Sequence, residues 1–424
     1  MDETYLPRIA DRILSKKLKA SGAVYIAGPK WCGKTSTAEQ LSKSTLYMQD
    51  PDRFAINMQM ADTKPSLLLD GEKPRLLDEW QVAPVLWDAV RFAVDKSKGK
   101  CGQYILTGSA AAPDGATMHT GTGRIDRMTM RPMSLYESQE SSGQVSLKSL
   151  FDSTDIEGIA ALSIESVEKL AFVLTRGGWP FAIGKPADIA ISQVYKYIEA
   201  TINSDASKID GVQRDPERVR SLMRSIARNI STQASVSTIR ADMRGDDEGL
   251  SENTVLSYFN VLSKLFVVED LRAWNPSIRS KTAVRTSPTR HFVDPSIAAA
   301  VLSVDASGLL KDFNTFGLLF ESLCVRDLRV YAEAIGGTVY HYRDSYGLET
   351  DAVVQLRDGR WGAVEVKMGM KETEKAAENL LKLKETVNTE KMNDPSFLMV
   401  LTASNYAYRR KDGVYIVPIG CLKD

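Results

Sequence analysis

Gly28-Pro-Lys-Trp-Cys-Gly33-Lys34-Thr35 is a G-x-x-x-x-G-K-[ST] run, and the fold is read outward from it. Ahead of it stands Ala23-Val-Tyr-Ile-Ala27, an apolar run of strand length that ends on glycine. It reads as a buried strand feeding a turn. Behind it, residues from Thr35 to about Ser42 continue as a helix. In a strand–loop–helix of this spacing the backbone N–H groups of the loop and of the first helical turn point at phosphates. Gly28 and Gly33 allow the close approach, Lys34 would reach the β and γ phosphates, and Thr35, followed by Ser36, would place a hydroxyl on Mg²⁺. ATP and Mg²⁺ are therefore the expected cofactors.

Two more apolar strands follow, at 74–78 and 104–107, with a helical stretch over 85–95 between them. Strands alternating with helices predict a parallel sheet covered on both faces. The first of these strands ends in Asp78-Glu79, at the carboxyl edge where such sheets bind ligands. Asp78 would hold the Mg²⁺ shell, and Glu79 would orient and deprotonate the attacking water. The second ends in Thr107-Gly-Ser109, whose hydroxyls would touch the γ phosphate or that water. Arg124, in Gly121-Thr-Gly-Arg124, has the makings of an arginine finger supplied to a neighbouring subunit, with a homo-oligomer as the corollary. Arg176, before Gly-Gly-Trp-Pro180, reads more readily as a structural arginine than as a nucleotide sensor.

Taken together these segments resemble a family of bacterial and archaeal ATPases with an AAA-type module followed by a C-terminal domain of unknown function. The resemblance is carried by Gly28–Thr35, Leu76-Leu-Asp-Glu-Trp-Gln81, Leu106-Thr-Gly-Ser109, Gly121-Thr-Gly-Arg124, Arg131-Pro-Met-Ser-Leu-Tyr-Glu137 and Arg176-Gly-Gly-Trp-Pro180. Gly347-Leu-Glu-Thr-Asp351 and Val364-Glu-Val-Lys367 extend it to the C-terminal half. It implies nucleotide binding and hydrolysis and leaves the biological role open.

The rest of the chain divides by composition and periodicity. An AAA-type α/β core over 1–137 gives way to the polar run Ser138-Gln-Glu-Ser-Ser-Gly143. A helical lid or linker is expected over 138–204. Residues 205–300 give helix, helix, helix, strand, arm and strand, the order of a winged helix. Asp215 and Ser251 stand as helix caps within it. Residues 301–424 mix helices and strands in an α/β domain. The 424 residues carry 54 Lys and Arg against 54 Asp and Glu, so net charge supplies no pull toward nucleic acid. Cys32, Cys101, Cys324 and Cys421 lie far apart with no metal-ligand spacing, and the acidic start Met1-Asp-Glu-Thr lacks an apolar signal core. A reduced cytoplasmic protein with no membrane span is expected.

In the last domain, Asp351 and Glu365-Val-Lys367 have the form of a restriction-endonuclease-like site, with two carboxylates to hold Mg²⁺ and a lysine near the attacking water. Arg357-Asp-Gly359 fits a three-residue hairpin with glycine in the left-handed position. That register sets Leu356 against Arg360, Asp351 against Glu365 and Glu349 against Lys367, on one face of the sheet. A two-residue turn would shift the pairing by one and separate the acids. Glu321 on the preceding helix would add a carboxylate. The segment looks like that nuclease superfamily, yet a fold can be kept while its site is repurposed for binding.

Between Leu271 and Val293 stand Arg272, Arg279, Lys281, Arg285 and Arg290, no acid, and Trp274. This arm would be the wing and would contact DNA phosphates. The third helix offers Glu252, Asn253, Ser257 and Asn260, a poor set for reading bases. An oligomeric ATPase that remodels DNA or translocates along it is the leading expectation. A nucleotide-dependent switch or scaffold with protein partners, and an ATP-regulated Mg²⁺-dependent nuclease, are the alternatives.

Overall fold

The computed structural model describes residues 5–110, 120–152, 161–163, 166–208, 212–243, 250–276, 287–387 and 392–424. The chain forms two compact units. The first comprises Met1–Pro132 with the segments Ser204–Arg214 and Val261–Val267; the second comprises the remainder. No helix among the described residues is long and apolar enough to cross a membrane.

The first unit is built on five parallel strands: β1 (Ala23–Ala27), β2 (Ser44–Tyr47), β3 (Arg75–Asp78), β4 (Tyr104–Gly108) and β5 (Ile125–Thr129), in the order β2-β3-β4-β1-β5. Alternation along each strand sends its side chains to two cores. Val24 and Ile26 join Leu76 and Ile105 beneath the helix Ile9–Ala20. Tyr25, Leu77 and Leu106 join Trp80, Trp87 and Val90 on the other face. The sheet is thus buried on both sides, which is why β1, β3 and β4 are legible as apolar runs. The edge strands β2 and β5 bury only Leu46, and only Ile125 and Met128, respectively, and they lack that signal.

The second unit contains a seven-stranded mixed sheet. Its strands are β7 (Ala161–Leu162), β8 (Gly337–Arg343), β9 (Glu349–Leu356), β10 (Trp361–Lys367), β11 (Phe397–Thr402), β12 (Tyr406–Arg409) and β13 (Tyr415–Pro418), in the order β7-β12-β13-β11-β10-β9-β8. β6 (Val145–Ser146) pairs separately with β14 (Leu422–Lys423). The long helix Phe313–Ala334 precedes β8. The helix Thr373–Thr386 buries Ala376, Ala377, Leu380 and Leu383 against Val353, Ala363 and Val400. Trp274 belongs to this core, its ring 4.7 Å from that of Trp361 and its Nε1 donating to Gln355 Oε1 at 3.1 Å. It is therefore a packing residue of the sheet and not an aromatic displayed among the basic residues of the arm.

Helices span Pro216–Arg228, Val236–Met243 and Glu252–Lys264. Asp215 caps the first, accepting from the Glu217 N–H at 2.9 Å. After them the chain makes antiparallel bridges Val268↔Phe292 and Leu271↔Thr289, and Ala273 bridges to His341 of β8.

Candidate functional site

The first site stands at the carboxyl edge of the five-stranded sheet. Gly28, directly after β1, has φ +157°, and a Cβ there would lie 2.1 Å from the Met130 carbonyl oxygen. Only glycine lets the loop pass. Gly33 is left-handed (φ 96°) and caps the helix Lys34–Glu39. Lys34 is buried within the loop, its Nζ donating to the Pro29 carbonyl at 2.7 Å. Ser36 is exposed on the first helical turn.

Three strand ends then converge. The Thr35 hydroxyl donates to Asp78 Oδ1 at 2.7 Å, and the Thr107 hydroxyl donates to the same oxygen at 2.6 Å. Thr107 Oγ1 also lies 3.4 Å from the Glu79 N–H. The Thr107 hydroxyl therefore ties the two acids together, because β4 runs between β1 and β3. Glu79 is left-handed (φ 54°, ψ 47°), a conformation that costs a non-glycine residue free energy and concentrates at functional sites. Its Oε2 accepts from the Ser109 hydroxyl at 3.0 Å and from Gln81 Nε2. Gln81 had no role assigned from sequence, although it stands two residues beyond the acid. A Cβ on Gly108 would lie 2.6 Å from Gln81 Oε1, so the glycine of Thr-Gly-Ser makes room for that side chain.

These residues fit a Mg²⁺ nucleotide. The glycine positions open the loop to close approach, a buried ammonium stands at its centre, and the Thr35 hydroxyl and Asp78 carboxylate are the hard oxygen donors that Mg²⁺ takes. Among the described residues no three His, Cys, Asp or Glu gather closely enough to form a metal cage by themselves. Arg124 precedes β5 at the opposite edge of the sheet, where its carbonyl accepts from Ala23 at the start of β1. Its Nε donates to Asp95 at 2.7 Å. It therefore stands at the amino edge of the sheet, while the phosphate loop follows β1 at the carboxyl edge. Arg176 is buried in the second unit and ion-paired with Glu140, the structural role expected of it.

The second constellation lies in the seven-stranded sheet. β9 and β10 pair as Trp361↔Gln355, Gly362↔Val354, Ala363↔Val353 and Val364↔Ala352. This register, one step on, sets Asp351 opposite Glu365, and the Leu356 N–H donates to the Arg360 carbonyl across a turn with Gly359 at φ +88°. The acids converge. Lys367 Nζ lies 3.0 Å from Glu365 Oε2 and 3.3 Å from Asp351 Oδ2, which also accepts from the Val366 N–H at 2.7 Å. Burial first, and then the Asp351 charge, push the Glu365 carboxyl up to about 8. The same two causes raise Glu321 well above its ordinary value. Burial acts to lower Lys367, but Asp351 and Glu365 outweigh it and the ammonium is held. Glu349 instead pairs with Arg343 at 3.0 Å on the exposed side of β8.

Of the basic arm, Arg272 is exposed. Arg279, Lys281 and Arg285 lie outside the described residues. Arg290 is buried, with Nε donating to the Ala234 carbonyl at 3.2 Å and the guanidinium paired with Asp270. It is an interior strut and cannot meet a phosphate, because its charge is already spent inside the fold.

Residues 20–139 match the family model described as "AAA domain". Residues 167–308 and 316–422 match two domains of unknown function, DUF8612 and DUF4143. No curated protein matches the chain. Among solved structures, the Walker-type ATPase PABY2304 of Pyrococcus abyssi is 14% identical, over 72% of this chain and 97% of its own, with a TM-score of 0.43. RuvB of Thermotoga maritima is 14% identical over 61% and 87%, with a TM-score of 0.27. Orc1 of Aeropyrum pernix, in complex with DNA, is 12% identical over 71% and 93%, with a TM-score of 0.26.

Proposed function

We propose that this chain, an AAA-type P-loop ATPase, uses hydrolysis to act on nucleic acid as a homo-oligomer. At the ATPase site the polarised oxygens of Asp78 and Thr35 would hold Mg²⁺, whose contribution is to neutralise phosphate charge. Lys34 would meet the β and γ phosphates. Glu79, steadied by Ser109 and Gln81, orients the attacking water and takes its proton. Arg124 serves the site of a neighbouring copy.

The observation that favours nucleic acid is a row of arginines on the helix Pro216–Arg228. Arg220, Arg224 and Arg228 recur every four residues and share its solvent face. Arg220 is engaged by Glu199 at 2.9 Å. Arg224 and Arg228 are exposed and have no ion-pair partner among the described residues. Guanidinium groups so spaced suit consecutive phosphates. The three helices with the antiparallel bridges after them read as a winged helix. Its third helix exposes Glu252, Asn253, Ser257 and Asn260, so binding by backbone contact through the first helix, without base readout, is the mode that fits.

The test is ATP turnover and binding with single-stranded, duplex and branched DNA. Wild type should bind at least one form with a change in turnover. The double variant Arg224→Glu, Arg228→Glu should lose affinity and flatten the dependence of log K on log salt by about 2, at roughly 0.9 per phosphate contact. If no DNA form binds or alters turnover, the nucleic-acid reading falls and a switch with protein partners takes its place.

The convergence of Asp351, Glu365 and Lys367 favours a second reading for the other unit, a Mg²⁺-dependent nuclease. The ion would supply polarisation of a phosphate. Asp351 and Glu365 would hold it, and Lys367 would steady a water beside it. Strand scission scored in the same reactions decides this independently of ATP turnover.

A further inference from the structure

Lys30, inside the phosphate loop, makes an ion pair that the ATPase chemistry does not use. Its Nζ lies 2.6 Å from Asp205 Oδ1, although the residues are far apart in sequence. The Asp205 carboxylate is nearly buried, at 9% exposure, while Lys30 is 45% exposed. Asp205 ends a π-helical turn, Thr201–Asp205, that interrupts the helix running on from Ala187–Ala200. Such turns are rare and cluster at functional positions. With it begins a short strap, described over 204–208 and 212–214, that groups with the ATPase unit although the chain on both sides of it belongs to the other unit. Arg214 staples the strap to itself: its Nη1 donates to the Ala206 carbonyl at 3.1 Å and its N–H to the Ser207 hydroxyl at 3.1 Å.

The two loop lysines are mechanically linked. Lys34 Nζ is held by the Pro29 carbonyl, and Pro29 is bonded to Lys30. A pull on Lys30 is therefore felt at the oxygen that positions Lys34. Asp205 also sets a negative charge beside a loop built to receive a polyanion, and it cancels one of the loop's two cations. We infer that Asp205 is an affinity-determining residue of the nucleotide site. Its pair with Lys30 is a latch that nucleotide phosphates weaken, and the turn over 204–208 is the element released. By reciprocity, whatever nucleotide does to the latch, the latch does to nucleotide affinity.

The experiment is a double-mutant cycle read by binding of a fluorescent non-hydrolysable ATP analogue to the full-length protein. Asp205→Asn keeps the shape and removes the charge. It should tighten the analogue by about two- to fivefold, the range for a half-exposed ion pair. In a Lys30→Ala background the same substitution should change nothing. Unchanged or weaker binding in Asp205→Asn, or equal tightening in both backgrounds, overturns the latch. A second measurement needs no variant at Asp205. Amide hydrogen exchange at Ala206 and Ser207 should speed up when wild-type protein binds the analogue, and should not respond in Lys34→Ala, where binding itself is lost. Exchange indifferent to nucleotide in wild type overturns the release of the turn, whereas failure of wild type to bind at all would instead indict the nucleotide site.

Discussion

Replacing Glu79 with glutamine isolates the chemical step. The side chain keeps its length, so the neighbours at Oε2, the Ser109 hydroxyl at 3.0 Å and Gln81 Nε2, still meet a side chain of the same shape. What is lost is the charge and the proton acceptor. A positioned general base contributes about 10²–10⁴ in rate, equivalent to roughly 3–5 kcal/mol of barrier. Nucleotide affinity should stay within about twofold of wild type by that account, because Lys34 and Thr35 stand on a different segment and Thr35 leans on Asp78, not Glu79. The assay is single-turnover hydrolysis at saturating ATP, with binding of a labelled analogue measured separately. Glu79→Gly supplies a contrast. The residue is left-handed (φ 54°, ψ 47°), so glycine removes backbone strain on the order of 1 kcal/mol while removing the base as well. That variant should be inactive yet melt no lower than Glu79→Gln. A single-turnover rate for Glu79→Gln within about threefold of wild type would refute the assignment, and a lower melting temperature for the glycine variant would refute the strain.

Three further outcomes are expected. Arg124→Ala should hydrolyse ATP slowly with binding intact; mixed with Glu79→Gln protein it should regain activity at interfaces that pair an intact Arg124 with an intact Glu79, and near-zero activity at every mixing ratio would count against a finger in trans. Asp351→Ala and Lys367→Ala should each abolish any Mg²⁺-dependent DNA scission and leave ATP turnover largely unchanged, since the two sites occupy different units; scission surviving in both would exclude these residues as its source. His341 is driven by burial down to about 4 from an ordinary 6.5. The folded state therefore disfavours the proton that the unfolded chain takes up, and stability on the order of 3 kcal/mol present above about pH 6.5 is lost as pH falls toward 4. Urea midpoints between pH 6.5 and 4.5 should fall less steeply in His341→Phe, and an identical slope would show that the loss arises elsewhere.

What the sequence determined by itself was local. Gly28 through Thr35 dictates its own backbone, because Gly28 at φ +157° and a left-handed Gly33 leave the loop one course. Gly359 in a three-residue turn sets the β9–β10 register, and period-two alternation then delivers Asp351, Glu365 and Lys367 to one face. Strands buried on both faces announce themselves as apolar runs; the edge strands β2 and β5 do not, since each buries only one or two of its residues. Only the tertiary structure decided which distant groups meet. That Thr35 and Thr107 share one oxygen of Asp78 follows from β4 lying between β1 and β3, an order no spacing encodes. Gln81 acquires its place beside Glu79 because a glycine on the neighbouring strand leaves room for it. Arg290 and Trp274 look in the sequence like a nucleic-acid surface, and the fold turns them inward to Asp270 and Trp361. The pairing of Lys30 with Asp205 joins a loop to a turn that nothing in either segment points to, because an ion pair across so long a stretch of chain depends on packing that only the completed fold supplies.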